Sequence, residues 1–256
     1  MNESFSASEL MTIAAAREIT DRDIIFCGTG LPIVVARTAK HLHAPGSVIF
    51  FETGAIDSPL LDLPMFVADS RVMAGAVIHT GLVDAISMLQ NNKTGPRTVT
   101  ILGAAQIDRF GNLNSTCIGD YLAPRVRFSG SGGAADAACL SGRTIVFMKH
   151  QKERFVERLD YLTSPGWLQG ARSREQKGLT RGGTSVLITN KCIIRFHPGK
   201  RTMYLSEYFP GSTLEEIEGN TGFPLDLASA REMTPPGEEE LRVLREEVDP
   251  DRLIIA

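Results

Sequence analysis

The stretch Ser47-Val48-Ile49-Phe50-Phe51-Glu52-Thr53-Gly54 decides the reading of this chain. Its first five residues read as a buried β-strand. The strand runs straight into an ionisable side chain and then a glycine turn. In open α/β sheets, ligands collect outside the carboxyl ends of strands. Glu52 is therefore a candidate reactive group. The alternative is a surface glutamate in a turn, or one that caps a following helix.

Upstream of this stretch, Ser6 and Glu9 have the S-x-x-E spacing of a capping box ahead of Leu10, Met11, Ile13 and Ile19. That spacing opens a first helix. Ile24 to Cys27 reads as a short buried strand, followed by Gly28-Thr29-Gly30-Leu31-Pro32 and a helical pattern from Ile33 to Leu42. Pro32 suits the first turn of that helix. Strand, glycine loop, helix and strand in this order make a βαβ unit and a parallel sheet.

Downstream, residues 57–71 are irregular and rich in proline and aspartate, the pattern of an ordered surface loop. Helical spacing returns over Gly81–Gln90, and a strand is read at Thr98–Leu102. Polar, glycine-rich text follows: Gly103, Gln106, Asp108, Gly111, Asn112, Asn114, Ser115 and Thr116. Further strands are expected at Thr144–Met148, Thr184–Thr189, Ile193–Phe196 and Met203–Ser206. Ser212 with Glu215 reads as a second capping box, and Glu238–Val248 as an amphipathic closing helix. The expectation is an α/β fold with an open, mostly parallel sheet and flanking helices. No linker or repeat interrupts the 256 residues, so they are read as a single domain over 1–256.

Composition excludes several classes. The formal net charge is −3 and the basic residues are scattered, which is not the footprint of a nucleic-acid binder. No apolar run is long enough to span a membrane. The start, Met1-Asn2-Glu3-Ser4, lacks the basic and apolar regions of a signal peptide. The four cysteines, Cys27, Cys117, Cys139 and Cys192, are far apart and read as reduced thiols of a cytoplasmic protein. The five histidines form no H-x-x-H or H-E-x-x-H pattern, so no metal site is expected.

Two glycine segments carry chemistry. Gly28 and Gly30 give only G-x-G, because Ile33 stands where a dinucleotide fingerprint needs its third glycine. They still offer a tight turn whose helix-start amides can bind an anion. A turn that merely joins strand to helix is the equal alternative. Ser129-Gly130-Ser131-Gly132-Gly133-Ala134 lets the backbone approach a ligand, with successive N–H groups able to face one oxygen. Such a hole stabilises charge developing on a thioester or anhydride carbonyl. Its alternative is a plain flexible loop.

Taken together, Gly28 to Pro32, Glu52-Thr53-Gly54, Gly103 to Thr116, Ile118 to Tyr121, Arg127 to Ala134, Arg154-Phe155, Asp160 to Trp167 and Asn220 to Phe223 resemble the class I coenzyme A transferases. Within that family the text is most like the B subunits of the glutaconate-transferring branch. The resemblance spans nearly the whole chain in order. It implies an ISOCOT-type CoA-transferase fold and a homologous A subunit as partner, in a heterodimer or heterotetramer. It implies an acyl-CoA and a carboxylic, dicarboxylic-class acid as substrates, with no permanently bound cofactor.

The resemblance also places Glu52 as the nucleophile that forms covalent acyl and CoA intermediates. Gly132 and Gly133 become oxyanion donors, with Ser131 and Ala134 beside them in the substrate site. Asn114 orients the acyl group, and Gly28 and Gly30 line the substrate site. The text departs from the glutaconate pattern between Ala55 and Gln90, where substrate-lining residues are expected. Relatives on this fold include hydrolases and a decarboxylase that lack the glutamate, so Glu52 favours transfer. An acyl-CoA hydrolase or decarboxylase, and a non-catalytic effector-binding module, are the competing readings.

Overall fold

A computed structural model describes residues 5–28 and 30–255. Thr29 of the Gly-Thr-Gly turn, and the Met1–Ser4 start read for a leader, lie outside the described residues. The chain gathers into two compact units, residues 1–101 with 234–256, and residues 102–233. Among the described residues, no helix is long and apolar enough to cross a membrane.

The first unit runs α1 (Ala7–Ala16), β1 (Ile24–Phe26), α2 (Leu31–Leu42), β2 (Val48–Phe50), β3 (Ala55–Ile56), β4 (Ile78–His79), α3 (Leu82–Gln90) and into β5 (Thr98–Gly103). The first helix starts as the sequence predicts. Ser6 N–H donates to Glu9 Oε2 at 2.7 Å, and Glu9 N–H donates to Ser6 Oγ at 3.2 Å. β1 pairs in parallel with β2 on one side and β5 on the other. This is the expected βαβ unit, and its strands are apolar because both faces are covered. Ile25, Ile49, Phe50 and Val99 are fully buried.

The closing helix over 238–248 begins as an α-helix and ends as a wider π-helix. It is tied to α1 by Arg245 Nε on Glu9 Oε1 at 2.6 Å, and to α2 by Arg37 Nη1 on the Val248 carbonyl at 3.0 Å.

The second unit contains β6 (Gln106–Ile107), β7 (Leu113–Asn114), β8 (Cys117–Gly119), β9 (Pro124–Arg127), α4 (Ala134–Leu140), β10 (Arg143–Met148), α5 (Ser173–Gln176), β11 (Thr184–Thr189), β12 (Cys192–Phe196), β13 (Met203–Tyr208), α6 (Leu214–Gly219) and β14 (Arg231–Glu232). Its sheet has the order β10-β11-β12-β13-β14. β10 and β11 are parallel, and β12 returns antiparallel to both β11 and β13. Val146, Leu187, Ile194 and Leu205 form its core with Phe155 and Ile217. The hairpins β6–β7 and β8–β9 lie outside this sheet.

The N-cap of α6 lies one residue beyond the expected Ser212. Thr213 caps α6 by accepting from Glu216 N–H at 3.2 Å. Ser212 is held in the preceding turn, where its N–H donates to the Phe209 carbonyl at 2.9 Å.

Candidate active site

In the first unit, β1 and β2 end side by side, with Phe26 opposite Phe50 and Cys27 N–H bonded to the Phe50 carbonyl at 3.0 Å. Gly28 and the Glu52 turn therefore follow neighbouring carboxyl ends of parallel strands, the place where such sheets collect ligands. Gly30 holds φ +77° as the N-cap of α2, and Pro32 follows in the first helical turn. A Cβ at Gly28 or Gly30 would meet nothing within 4 Å, so space is open beside both.

β2 does not simply stop at Glu52. Phe51 to Gly54 form a tight turn, closed by Gly54 N–H on the Phe51 carbonyl at 3.0 Å, which leads into antiparallel β3. β3 then pairs with β4, and Thr80 N–H donates to the Gly54 carbonyl at 2.9 Å. Gly54 has φ +103°, and a Cβ built there would lie 1.8 Å from the Thr80 carbonyl oxygen. Only glycine fits. Thr53 Oγ1 donates to the Val67 carbonyl at 3.1 Å, tying the turn to the 57–77 loop. Glu52 is half-buried at the crest of this braced turn. Among the described residues its carboxylate meets no hydrogen-bond donor and no counter-ion.

In the second unit, β6 and β7 present Gln106 opposite Asn114. Asn114 is fully buried. Its Nδ2 donates to Gln106 Oε1 and to the Cys117 carbonyl, both at 2.7 Å, and its Oδ1 accepts from Thr116 N–H at 3.0 Å. Both amide hydrogens are thus used inside the loop. Asn112 plays a similar part, with Oδ1 accepting from Gly166 N–H at 2.9 Å and Leu168 N–H at 3.0 Å. Asp108 Oδ1 accepts from the Phe110 and Asn112 N–H groups. Burial pushes the Asp108 carboxyl above its usual range, against the pull of these bonds.

The glycine run leads into α4. Gly130 and Gly132 hold positive φ, and Gly133 is the N-cap of the helix. Ala134 N–H turns back to the Ser131 carbonyl at 2.9 Å, while among the described residues the Gly132 and Gly133 N–H groups meet no acceptor. No Cβ contact lies within 4 Å of Gly130 or Gly132. Glu52 with Gly28 and Gly30 thus belongs to the first unit, and Asn114 with Ser131, Gly132, Gly133 and Ala134 to the second.

Sequence reading missed the exposed β8–β9 hairpin. There Tyr121 stacks on Tyr161 with centroids 5.1 Å apart, and Arg127 lies over the Tyr121 ring at 4.6 Å. Among the described residues, no group of three or more His, Cys, Asp or Glu side chains could hold a metal ion.

The chain belongs to the coenzyme A transferase family, whose profile matches residues 8–220. It is 37% identical over 255 residues to the B subunit of glutaconate CoA-transferase from Acidaminococcus fermentans, covering 98% of this chain and 96% of that one. It is 35% identical over 245 residues to the B subunit of 3-oxoadipate CoA-transferase from Pseudomonas knackmussii, covering 94% and 93% of the two chains. The crystal structure of the Acidaminococcus fermentans glutaconate enzyme matches with a TM-score of 0.95 at 36% identity, covering 99% of this chain and 98% of that one.

Proposed function

We propose that this chain is the catalytic subunit of an enzyme that moves CoA between an acyl-CoA and a carboxylic acid, with Glu52 as nucleophile. The observation that carries the reading is the half-buried, unpartnered Glu52 carboxylate on a turn that only glycine at position 54 permits. An ionised carboxylate needs no general base, and covalent intermediates split one hard transfer into easier steps.

A Glu52 oxygen attacks the thioester carbonyl and the C–S bond breaks. An acyl-glutamyl anhydride forms and the CoA thiolate leaves. The thiolate then attacks the Glu52 carbonyl carbon, releasing the donor acid and leaving a glutamyl-CoA thioester. The acceptor carboxylate attacks that thioester and the same two steps run in reverse. The Gly132 and Gly133 N–H groups serve as donors to the oxyanion, with Ser131 and Ala134 flanking them in the loop. Asn114, whose own hydrogen bonds close the 106–117 loop, orients the acyl group by holding that loop in place.

Dicarboxylic acids are the substrate class favoured by the names of the glutaconate and 3-oxoadipate relatives. Those relatives are B subunits, and a homologous A subunit is the proposed partner. Exposed Leu61, Phe66, Val77 and Val83 supply apolar surface for such a contact. The four described cysteines are free thiols, in keeping with a reducing, cytoplasmic setting.

The test uses the chain assembled with its A-type partner. After acyl-CoA is added, borohydride or hydroxylamine should mark the peptide containing Glu52, and the Glu52→Gln enzyme should carry no mark. Transfer at the wild-type rate by Glu52→Ala would overturn the mechanism.

A further inference from the structure

Arg174 is 2% exposed, and among the described residues no carboxylate pairs with it. A buried cation without a counter-ion is costly unless its hydrogen bonds are complete. Here they are complete and all go to backbone carbonyls. Nε donates to Arg181 O at 3.0 Å. Nη1 donates to Pro165 O at 2.9 Å and Gly166 O at 2.8 Å. Nη2 donates to Ala138 O at 2.7 Å, Cys139 O at 3.1 Å and Arg181 O at 2.8 Å. One planar fork thus joins three separate segments, a geometry that lysine's ammonium does not reproduce.

The identity of those segments gives the fork its meaning. Ala138 and Cys139 lie in the last turn of α4, where carbonyls have no partner within the helix. The other end of α4 is the Gly132–Gly133 loop, about 8 Å away along the axis at the helical rise per residue. Pro165 and Gly166 belong to the turn held by Asn112, and a Cβ at Gly166 would lie 2.2 Å from the Gly111 carbonyl oxygen. Gly182 is pressed against the fork itself. With φ +81°, its added Cβ would meet Ser141 O at 2.6 Å and Arg174 Nη2 at 2.9 Å.

We infer that Arg174 is a positioning residue for the transfer reaction, holding the C-terminal end of α4 so that the glycine loop at its other end keeps its donors aimed. The inference rests on the proposed role of that loop as the oxyanion hole. Oxyanion donors act through placement, and a shift of about 1 Å can cost 100-fold in rate.

The test compares Arg174→Lys, Gly182→Ala, Gly133→Val and the exposed control Gly178→Ala in the assembled enzyme, reading kcat, KM and thermal midpoint. Gly182→Ala keeps the guanidinium but crowds it, so it stands in if Arg174→Lys does not fold. Arg174→Lys and Gly182→Ala are expected to lower kcat ~10- to 100-fold with KM within about threefold, and Gly178→Ala to leave both constants unchanged. If both cage variants lose thermal stability yet keep wild-type kcat while Gly133→Val is slow, Arg174 is structural only and the inference falls alone. It also falls alone if they raise KM without lowering kcat. Wild-type kcat in Gly133→Val would remove the loop's proposed role, and the inference with it.

Discussion

Gly54→Ala isolates the bracing of the Glu52 turn. The added Cβ would lie 1.8 Å from the Thr80 carbonyl oxygen, so one of the two strands must retreat by about 1.6 Å to reach the 3.4 Å of ordinary contact. Three costs add. A side chain at φ +103° costs on the order of 1–3 kcal/mol. Opening the Thr80 N–H bond to Gly54 loses about 1 kcal/mol. Displacing the β3–β4 pair adds roughly 1–3 kcal/mol, as overpacking does elsewhere. The expected destabilisation is roughly 3–7 kcal/mol, a large share of a typical domain's total. Gly178→Ala is the reference, with similar positive φ but nothing within 4 Å, and should cost only about 1–2 kcal/mol. Urea unfolding followed by circular dichroism measures both. If Gly54→Ala falls within 1 kcal/mol of Gly178→Ala, the turn is not braced by β4 and the argument for a held nucleophile fails.

Three further outcomes are expected. Glu52→Asp should be severely slowed in transfer although its charge is kept, because the shorter side chain withdraws the attacking oxygen, and steady-state rates at saturating substrate will show it. The chain purified without an A-type partner should exchange no CoA between acids, and full activity of the lone chain would refute the assembly reading. Stability should fall between neutral pH and pH 4 through His150. Its ring is buried, with Nε2 3.1 Å from the Ile217 carbonyl and Nδ1 3.3 Å from Thr189 Oγ1, and burial pushes it down to about 4 from an ordinary 6.5. The unfolded chain takes up the proton first, so the contribution is whole above about 6.5 and lost as pH falls through about 4. That loss is worth about 3 kcal/mol. Urea titrations at several pH values should show a shallower slope in His150→Gln than in the wild type.

The framework of both units was legible where its strands fall in continuous apolar runs and its helices are long enough to show periodicity. Val48–Phe50, Thr184–Thr189 and Leu31–Leu42 carry their burial in their own residues. β3, β4, β6 and β7 are two residues each, too short for any alternation to appear. Glu52 could be singled out from its position after an apolar run, whereas the reason for Gly54 lies in Thr80, 26 residues away, and is tertiary. Asn114 offered an amide, but only the folded loop shows that its hydrogens are already used. Arg174 sits in Ser173-Arg174-Glu175-Gln176, which reads as an ordinary solvated charge run. Nothing local marks it as the centre of a carbonyl cage.

The turn at Glu52 and the strand that braces it enclose residues 57–77. The intervening loop closes on itself. Ser58 Oγ donates to the Ala74 carbonyl, and Asp69 accepts from Met65 N–H and from the Arg71 guanidinium. Its two ends are pinned to each other by the β3–β4 pair before the chain moves on. The loop therefore behaves as an exchangeable cassette on a fixed mount. Its side chains can change while the β3–β4 mount still holds the Glu52 turn. In the proposed mechanism, changes within the loop leave the position of the Glu52 carboxylate untouched.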